Sequence, residues 1–212
     1  MLSLAFVTGT EPGKWLRRYA EGTPHGIDAR ATDDPLSELA DGTCDLALAR
    51  LPDARVGESH HVVRLYDETP GVAVPKDSVY AEVAEAVDAA ELADEIVNFT
   101  YAEGADTDEL RGALQVVAAN VGIAFAPLPL LKALSKKQVV PLELRGEGTH
   151  ATSIGLVWKR ADDGDAIQDF VGVAKGRTPN SSRGASPALK KAPRPAQKKA
   201  PAKRKPARWR RG

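Results

Sequence analysis

The chain has 212 residues, 42% hydrophobic and 27% charged, enough for one or two domains with a real core. Its formal charge of zero hides a split. Of 29 basic and 29 acidic residues, 13 basic and no acidic ones lie in 177–212, leaving 16 basic against 29 acidic, a net of −13, in 1–176. No apolar run approaches the roughly 18 residues that span a bilayer, and the start Met1–Val7 has no basic n-region. A membrane protein and a secreted one are both disfavoured, and a cytoplasmic location is expected.

Leu4–Val7 reads as a short buried strand ending at Thr8-Gly9-Thr10, followed by a helix with Pro12 near its first turn and Trp15, Leu16 and Tyr19 on one face. His25–Ala31 is a second strand. Asp33-Asp34-Pro35 then starts a helix over Pro35–Ala40, with an Asp cap and Pro at the first helical position. Asp45–Ala49 gives a third strand closed by Pro52, and Val62–Leu65 and Gly71–Val74 give two more. Val79–Leu92 is Ala/Glu-rich and predicts a helix. Beyond it come a strand at Ile96–Tyr101, a helix at Asp106–Asn120, a strand at Val121–Ala126 and a short helix at Leu128–Leu134. Strands at Val139–Leu144 and Ser153–Val157 and a helix at Ala166–Ala174 complete the globule. Alternating strands and helices imply an α/β fold, with a mostly parallel sheet covered on both faces. Residues 177–212 are nearly all Lys, Arg, Pro, Ala, Ser or Gly; such a segment has little to bury and is expected to be disordered.

Catalytic apparatus is not visible. Gly9-Thr10-Glu11-Pro12-Gly13-Lys14-Trp15 looks like a phosphate loop, but only three residues separate its glycines and Trp15 stands where a Ser or Thr would reach Mg²⁺. No Gly-x-Ser-x-Gly, His-Glu-x-x-His or Cys-x-x-Cys is present. Asp45 and Asp67 are the acidic residues to examine for chemistry, although acids in strand-end loops more often cap turns. The single Cys44 lies in an apolar run and reads as a small buried hydrophobe. His25, His60, His61 and His150 have no metal-ligand spacing. A non-enzymatic protein with no cofactor is the expectation.

In open parallel sheets, ligands bind beyond the carboxyl ends of the strands. Thr8, Gly9, Thr10, Arg50, Thr100 and Pro127 occupy such positions, and Thr107 sits at a helix start with free backbone N–H groups. Each Thr taken singly serves equally as a cap or turn residue; together they favour a pocket. Glu11, Asp106 and Asp108 crowd the same helix starts and would repel an acidic ligand unless Arg50 compensates.

The order of several short segments resembles the effector-binding domain of LysR-type transcriptional regulators. These are Pro35-Leu36-x-x-Leu39-x-x-Gly42-x-x-Asp45-Leu46-Ala47-Leu48 followed by Pro52, then Val72-Ala73-Val74-Pro75-Lys76-Asp77-Ser78, which is similar to that family's extended crossover. Val116–Pro127 and Ile154–Lys159 are similar to two further family segments, so the match covers about residues 1–175. The resemblance implies a two-lobed, type-2 periplasmic-binding-protein-like fold, with lobe I at 1–71 and 155–176, lobe II at 72–154, and a small-molecule effector held between them by Thr8, Thr10, Thr107 and Pro127. Two departures are expected: the resemblance begins at the first strand of the sensor, without the family's N-terminal helix-turn-helix, and lobe II is shortened between Tyr101 and Asp106.

The tail is a polycation with spaced prolines and resembles linker-histone-like tails. Lys190, Lys191, Arg194, Lys198, Lys199, Lys203, Arg204, Lys205, Arg208, Arg210 and Arg211 can meet nucleic-acid phosphates, and Trp209 can stack on a base. An acidic protein partner, the chain's own globule and a solubilising role stay open beside this reading, as does DNA against RNA. The whole reads as a ligand-sensing, transcription-regulator-like module making nonspecific, nucleoid-type DNA contact, with homodimerisation compatible and no membrane role. The alternative is a protein-interaction scaffold with a vestigial cleft.

Overall fold

The computed structural model describes residues 1–83, 86–146 and 152–176. Its first sheet is built on strand β3, Leu46–Leu51, apolar except for Arg50 and buried along nearly its whole length, as a central strand covered on both faces must be. Strand β1 (Leu2–Val7) lies parallel to β3 on one side and to β2 (Ile27–Thr32) on the other. On the far side of β3, β10 (Ser153–Lys159) runs antiparallel and carries the edge strand β4 (His60–Asp67), so the order is β2-β1-β3-β10-β4.

Helices α1 (Gly13–Gly22) and α6 (Asp165–Ala174) cover one face of this sheet. There the buried rings of Tyr19 and Phe170 meet edge to face with centroids 5.4 Å apart, and the Tyr19 hydroxyl donates to the Ala166 carbonyl at 3.0 Å. Burial raises the pKa of that hydroxyl. Helix α2 (Pro35–Ala40) covers the other face with Leu36 and Leu39. It starts as its sequence predicts: Pro35 is at the first position and the Asp34 carboxylate accepts from the Ser37 N–H at 3.2 Å. Cys44 is buried in the same cluster, and burial pushes its thiol up.

The second sheet has the order β6-β9-β5-β8-β7, formed by Ala86–Asp88, Val139–Arg145, Pro70–Pro75, Ile123–Pro127 and Val97–Thr100 respectively. Helices α4 (Thr107–Ala118) and α5 (Leu128–Leu134) pack Leu110, Leu114, Leu130 and Leu131 on one face. Helix α3 (Val79–Val83) and a 3-10 turn at Ala89–Leu92 belong to the other. Gly122 makes the tight entry into β8, with φ +60°; a Cβ there would come within 2.1 Å of the Ile96 carbonyl oxygen, so only glycine fits.

Each sheet contains one strand that opposes its neighbours, and it is the first strand after the chain enters that sheet from the other. β5 follows β4, and β10 follows β9. The two crossings lie side by side, joined by the Glu68 N–H and the Thr152 carbonyl at 2.9 Å.

Two sequence expectations are corrected. Val79–Leu92 is not one helix. The helix ends at Val83, and Ala86–Asp88 pairs parallel with Glu143–Arg145, burying Val87 against Val72, Val74 and Leu142. The Ala/Glu preference for helix is worth only tenths of a kcal/mol per residue, and ladder hydrogen bonds plus a buried valine outweigh it. Asp88 then accepts from the Ala90 N–H at 3.0 Å and caps the turn that follows. The segment beginning at Val72 is likewise no crossover. Its first four residues are the last four of β5, paired within the second sheet, and the chain passes between sheets at Glu68 and Thr69 instead.

Residues 177–212, with all the basic tail positions named above, lie outside the described residues.

Candidate functional site: the cleft between the sheets

The carboxyl ends of β1, β2 and β3 face the loop between β7 and α4 across a cleft of about 820 Å³. Val7, Asp33, Asp34, Arg50, Asp53 and Arg55 line it from the first sheet, and Tyr101, Glu103, Ala105, Asp106 and Thr107 from the second. Such a volume lies within the range of small-molecule sites.

At the floor sits a buried ionic knot. Arg50, only 7% exposed, donates Nε to Glu68 Oε2 at 2.6 Å and Nη2 to Glu68 Oε1 at 3.0 Å, a bidentate pair. The Thr152 hydroxyl donates to the same Glu68 at 2.8 Å, and Arg50 Nη2 also donates to the Thr8 carbonyl at 3.2 Å. Burial by itself would lower the Arg50 pKa; the hydrogen bond and charge of Glu68 outweigh it and hold the pKa above the usual arginine range. The Arg50 guanidinium lies over the Tyr101 ring, 5.7 Å from its centroid, so the knot also touches the second sheet. Burial raises the Tyr101 pKa, with Arg50 pulling the other way. One carboxylate therefore ties β3 to both crossings, and the pair is satisfied.

The rim carries a more exposed network. Arg55 Nη1 meets Asp34 Oδ2 at 2.7 Å while its Nε and Nη2 take Asp53 at 2.9 and 2.7 Å. From α4, Arg111 reaches across the cleft to Asp33 Oδ2 at 2.8 Å and bonds Asp108 on its own helix at 2.7 Å. The hydrogen bond that Asp53 accepts from Arg55 is the leading reason that the Asp53 pKa is lowered, and the one that Arg111 donates to Asp33 is the leading reason that the Arg111 pKa is raised. Asp106 caps α4, accepting from the Asp108 N–H at 2.8 Å.

The residues singled out from sequence separate into groups. Arg50 and Thr107 line the cleft. Thr8 stands behind it, its hydroxyl donating to Asp33 Oδ1 at 2.5 Å. Thr10 is buried with its hydroxyl turned onto the Val7 carbonyl at 2.7 Å. Gly9, at φ +94°, packs so closely on the start of α5 that a Cβ would sit 3.0 Å from the Leu130 backbone. Gly9 and Thr10 border a smaller hollow of about 450 Å³ with Glu11, Pro129 and Lys132. Thr100 is exposed at the end of β7 and Pro127 is buried opposite Pro70; neither lines these two cavities. Asp45 accepts from the Ser3 N–H and hydroxyl, and the exposed Asp67 pairs with Arg64, so both have structural partners.

Sequence reasoning missed Glu68, Arg55 and Arg111. Glu68 meets Arg50 18 residues away, Arg55 reaches Asp34 21 away and Arg111 reaches Asp33 78 away. No local pattern marks these long-range pairs, although Arg55 and Arg111 also bond near neighbours, Asp53 and Asp108. The one available signal was Asp33-Asp34 before a proline-started helix, two acids where one suffices as a cap. Among the described residues no cluster of His, Cys, Asp and Glu has metal-binding geometry, and no helix is long and apolar enough to cross a membrane.

No protein-family model matches the chain, and no curated protein matches it in sequence. Solved structures do. A reduced form of OxyR from N. meningitidis superposes with TM-score 0.58 at 17% identity, covering 82% of this chain and 93% of that one. CbnR, a LysR family transcriptional regulator, gives 0.60 at 16% identity over 82% of this chain and 68% of its own. The effector binding domain of a BenM variant gives 0.60 at 15% identity over 82% and 92%. At such identities the likeness establishes architecture: this chain has the two-lobed α/β fold of LysR-type regulatory and effector-binding domains.

Proposed function

We propose that the protein is a non-enzymatic, ligand-sensing regulatory module whose effector binds between a lobe built on the first sheet and a lobe built on the second. The boundaries expected from sequence (1–71 and 155–176; 72–154) shift by a few residues to the crossings at Glu68–Thr69 and Thr152. The observation that carries this reading is the cleft itself, about 820 Å³ between two sheets whose crossings are clamped by one buried Arg50–Glu68 pair. A cleft walled by two sheets lets a ligand bias their separation, and a stiff knot at the crossings gives them a fixed point to move about. The fold shared with an effector binding domain and with full-length CbnR, which was solved in complex with its target DNA, supports the same reading. Arg50 and Thr107 would face the effector, with Thr8, Gly9, Thr10, Thr100 and Pro127 shaping the surrounding strand ends. The basic tail, on this reading, supplies nonspecific nucleic-acid contact in the cytoplasm through its 13 cations.

Two experiments test it. A metabolite library of mixed charge is screened by thermal shift on the wild type and on Ala105→Trp, which places a bulky side chain in the cleft wall. Compounds that raise Tm only in the wild type support sensing; a library of which none does so overturns it. Fluorescence anisotropy with a random duplex then compares residues 1–212 with the compact unit 1–178. Binding by the longer chain alone, falling steeply with salt, supports the tail's role; equal binding or none overturns it.

A specific feature favours an additional interaction role. Ile96, Val97, Val116 and Val121 are each 40–64% exposed, at and beside the edge strand β7. Sedimentation analysis of Ile96→Lys against the wild type tests whether this face joins two copies.

A further inference from the structure

We propose that the cleft selects a cationic effector, a small molecule bearing an amino or guanidino group on a short apolar spacer. The inference rests on the reading of the cleft as an effector site and adds the charge of what it takes.

Five carboxylates line the cleft, those of Asp33, Asp34, Asp53, Glu103 and Asp106, against the two guanidinium groups of Arg50 and Arg55. Both guanidinium groups are already committed. Arg50 is held bidentate by the buried Glu68, and Arg55 is shared between Asp34 and Asp53. The third arginine at the rim, Arg111, is taken by Asp33 and Asp108. An anion entering this space would have to break one of these pairs and leave a carboxylate uncompensated beside it. For Arg50 that carboxylate would be one whose side chain is 1% exposed. Arg50 therefore cannot offset the surrounding acids, because its charge is matched internally.

The surplus is negative and concentrated in the β7–α4 loop. Among the described residues Glu103 has no cationic partner, and Asp106 uses one oxygen for its helix cap. Across from them Leu36, Pro52 and Ala54, and between them Ala105, supply apolar wall, which suits the methylene spacer of an amine or guanidine better than a fully hydrated inorganic cation. Carboxylates that converge on a partly enclosed space also attract cations from a distance, an effect that salt screens.

The test uses the full chain and four probes of similar length: agmatine and putrescine as cations, glutarate as the dianion, 1,5-pentanediol as the neutral control. Thermal shift and titration calorimetry are run on the wild type and on the double variant Glu103→Gln/Asp106→Asn. The variant keeps both side-chain shapes, and Asn still caps a helix. The expected result is that at least one cation binds saturably, that glutarate and pentanediol do not, and that the double variant weakens the cation roughly tenfold. If glutarate binds and the cations do not, or if pentanediol binds as well as they do, the charge assignment is overturned while the sensing reading stands. Cation binding that the double variant leaves intact places the cation elsewhere on the acidic surface and also overturns the proposal. So does a wild type whose Tm and calorimetric trace respond to neither cation, and then the mixed-charge library decides separately whether the cleft senses anything.

Discussion

The floor and the rim of the cleft are made from the same chemistry, arginine against carboxylate, at very different depths. At the floor, Arg50 and Glu68 have side chains 6% and 1% exposed; at the rim, Arg55 and Asp34 are 50% and 47% exposed. Both contacts are short, 2.6 and 2.7 Å, so geometry does not separate them. Water does. A solvated pair can lose one partner and let solvent replace it, whereas a buried one leaves a charge with nowhere to go. The floor pair thus sets which arrangement of the crossings is allowed, and the rim pairs tune surface charge at little structural cost.

The sharpest way to break this contrast is at the floor. Glu68→Gln strands the buried Arg50 cation and is expected to destabilise the fold by about 3–5 kcal/mol in urea unfolding. The paired replacement Arg50→Met/Glu68→Met should recover most of that loss, because it removes both charges together. A paired variant no more stable than Glu68→Gln would mean that the floor acts by shape and not by charge balance. Gly9→Val probes the close approach of the β1 end to α5 beside the cleft. It forces a β-branched residue into positive φ and a Cβ against Leu130, and a loss of at least about 1–2 kcal/mol is expected from the backbone alone.

Smaller effects belong to the rim. Arg111→Gln removes the contact from α4 to Asp33 and should cost at most about 1 kcal/mol. Small-angle scattering on the same variant reads whether that contact holds the lobes together: a larger radius of gyration is expected. The smallest effect is that of pH on Asp53. Arg55 holds the Asp53 carboxyl below its ordinary range, so its contribution is present above the unfolded pKa and lost as pH falls through the lower folded one. Comparing wild type with Asp53→Asn from neutral to acid pH, the stability gap should close on acidification, and a gap that widens would contradict the assignment.

How much of this was legible in the sequence varies with the range of the interactions. The largely apolar third strand, the Asp34-Pro35 helix start and the short helix after Pro127 are local signals; the two helices stand where they were read, and the strand expected at Asp45–Ala49 runs over Leu46–Leu51. The ordered short motifs carried the fold as well, since the two-lobed architecture is the one they resemble. Ala86–Asp88 was misread because its strand character comes from Glu143–Arg145, more than fifty residues on, and helix propensity there is weak enough to be overruled.

Composition by itself determined the opposite charges of globule and tail, and hydrophobic periodicity determined most of the elements. Tertiary structure decided the site. Arg50 reads from sequence as a free cation at a strand end; only folding sets Glu68, 18 residues further on, against it and turns an apparent anion receptor into a neutral floor. Local patterns reflect hydrogen bonds and burial within one element, whereas the charge of a cleft depends on which distant side chains the fold brings within a few ångströms, and that is settled in three dimensions.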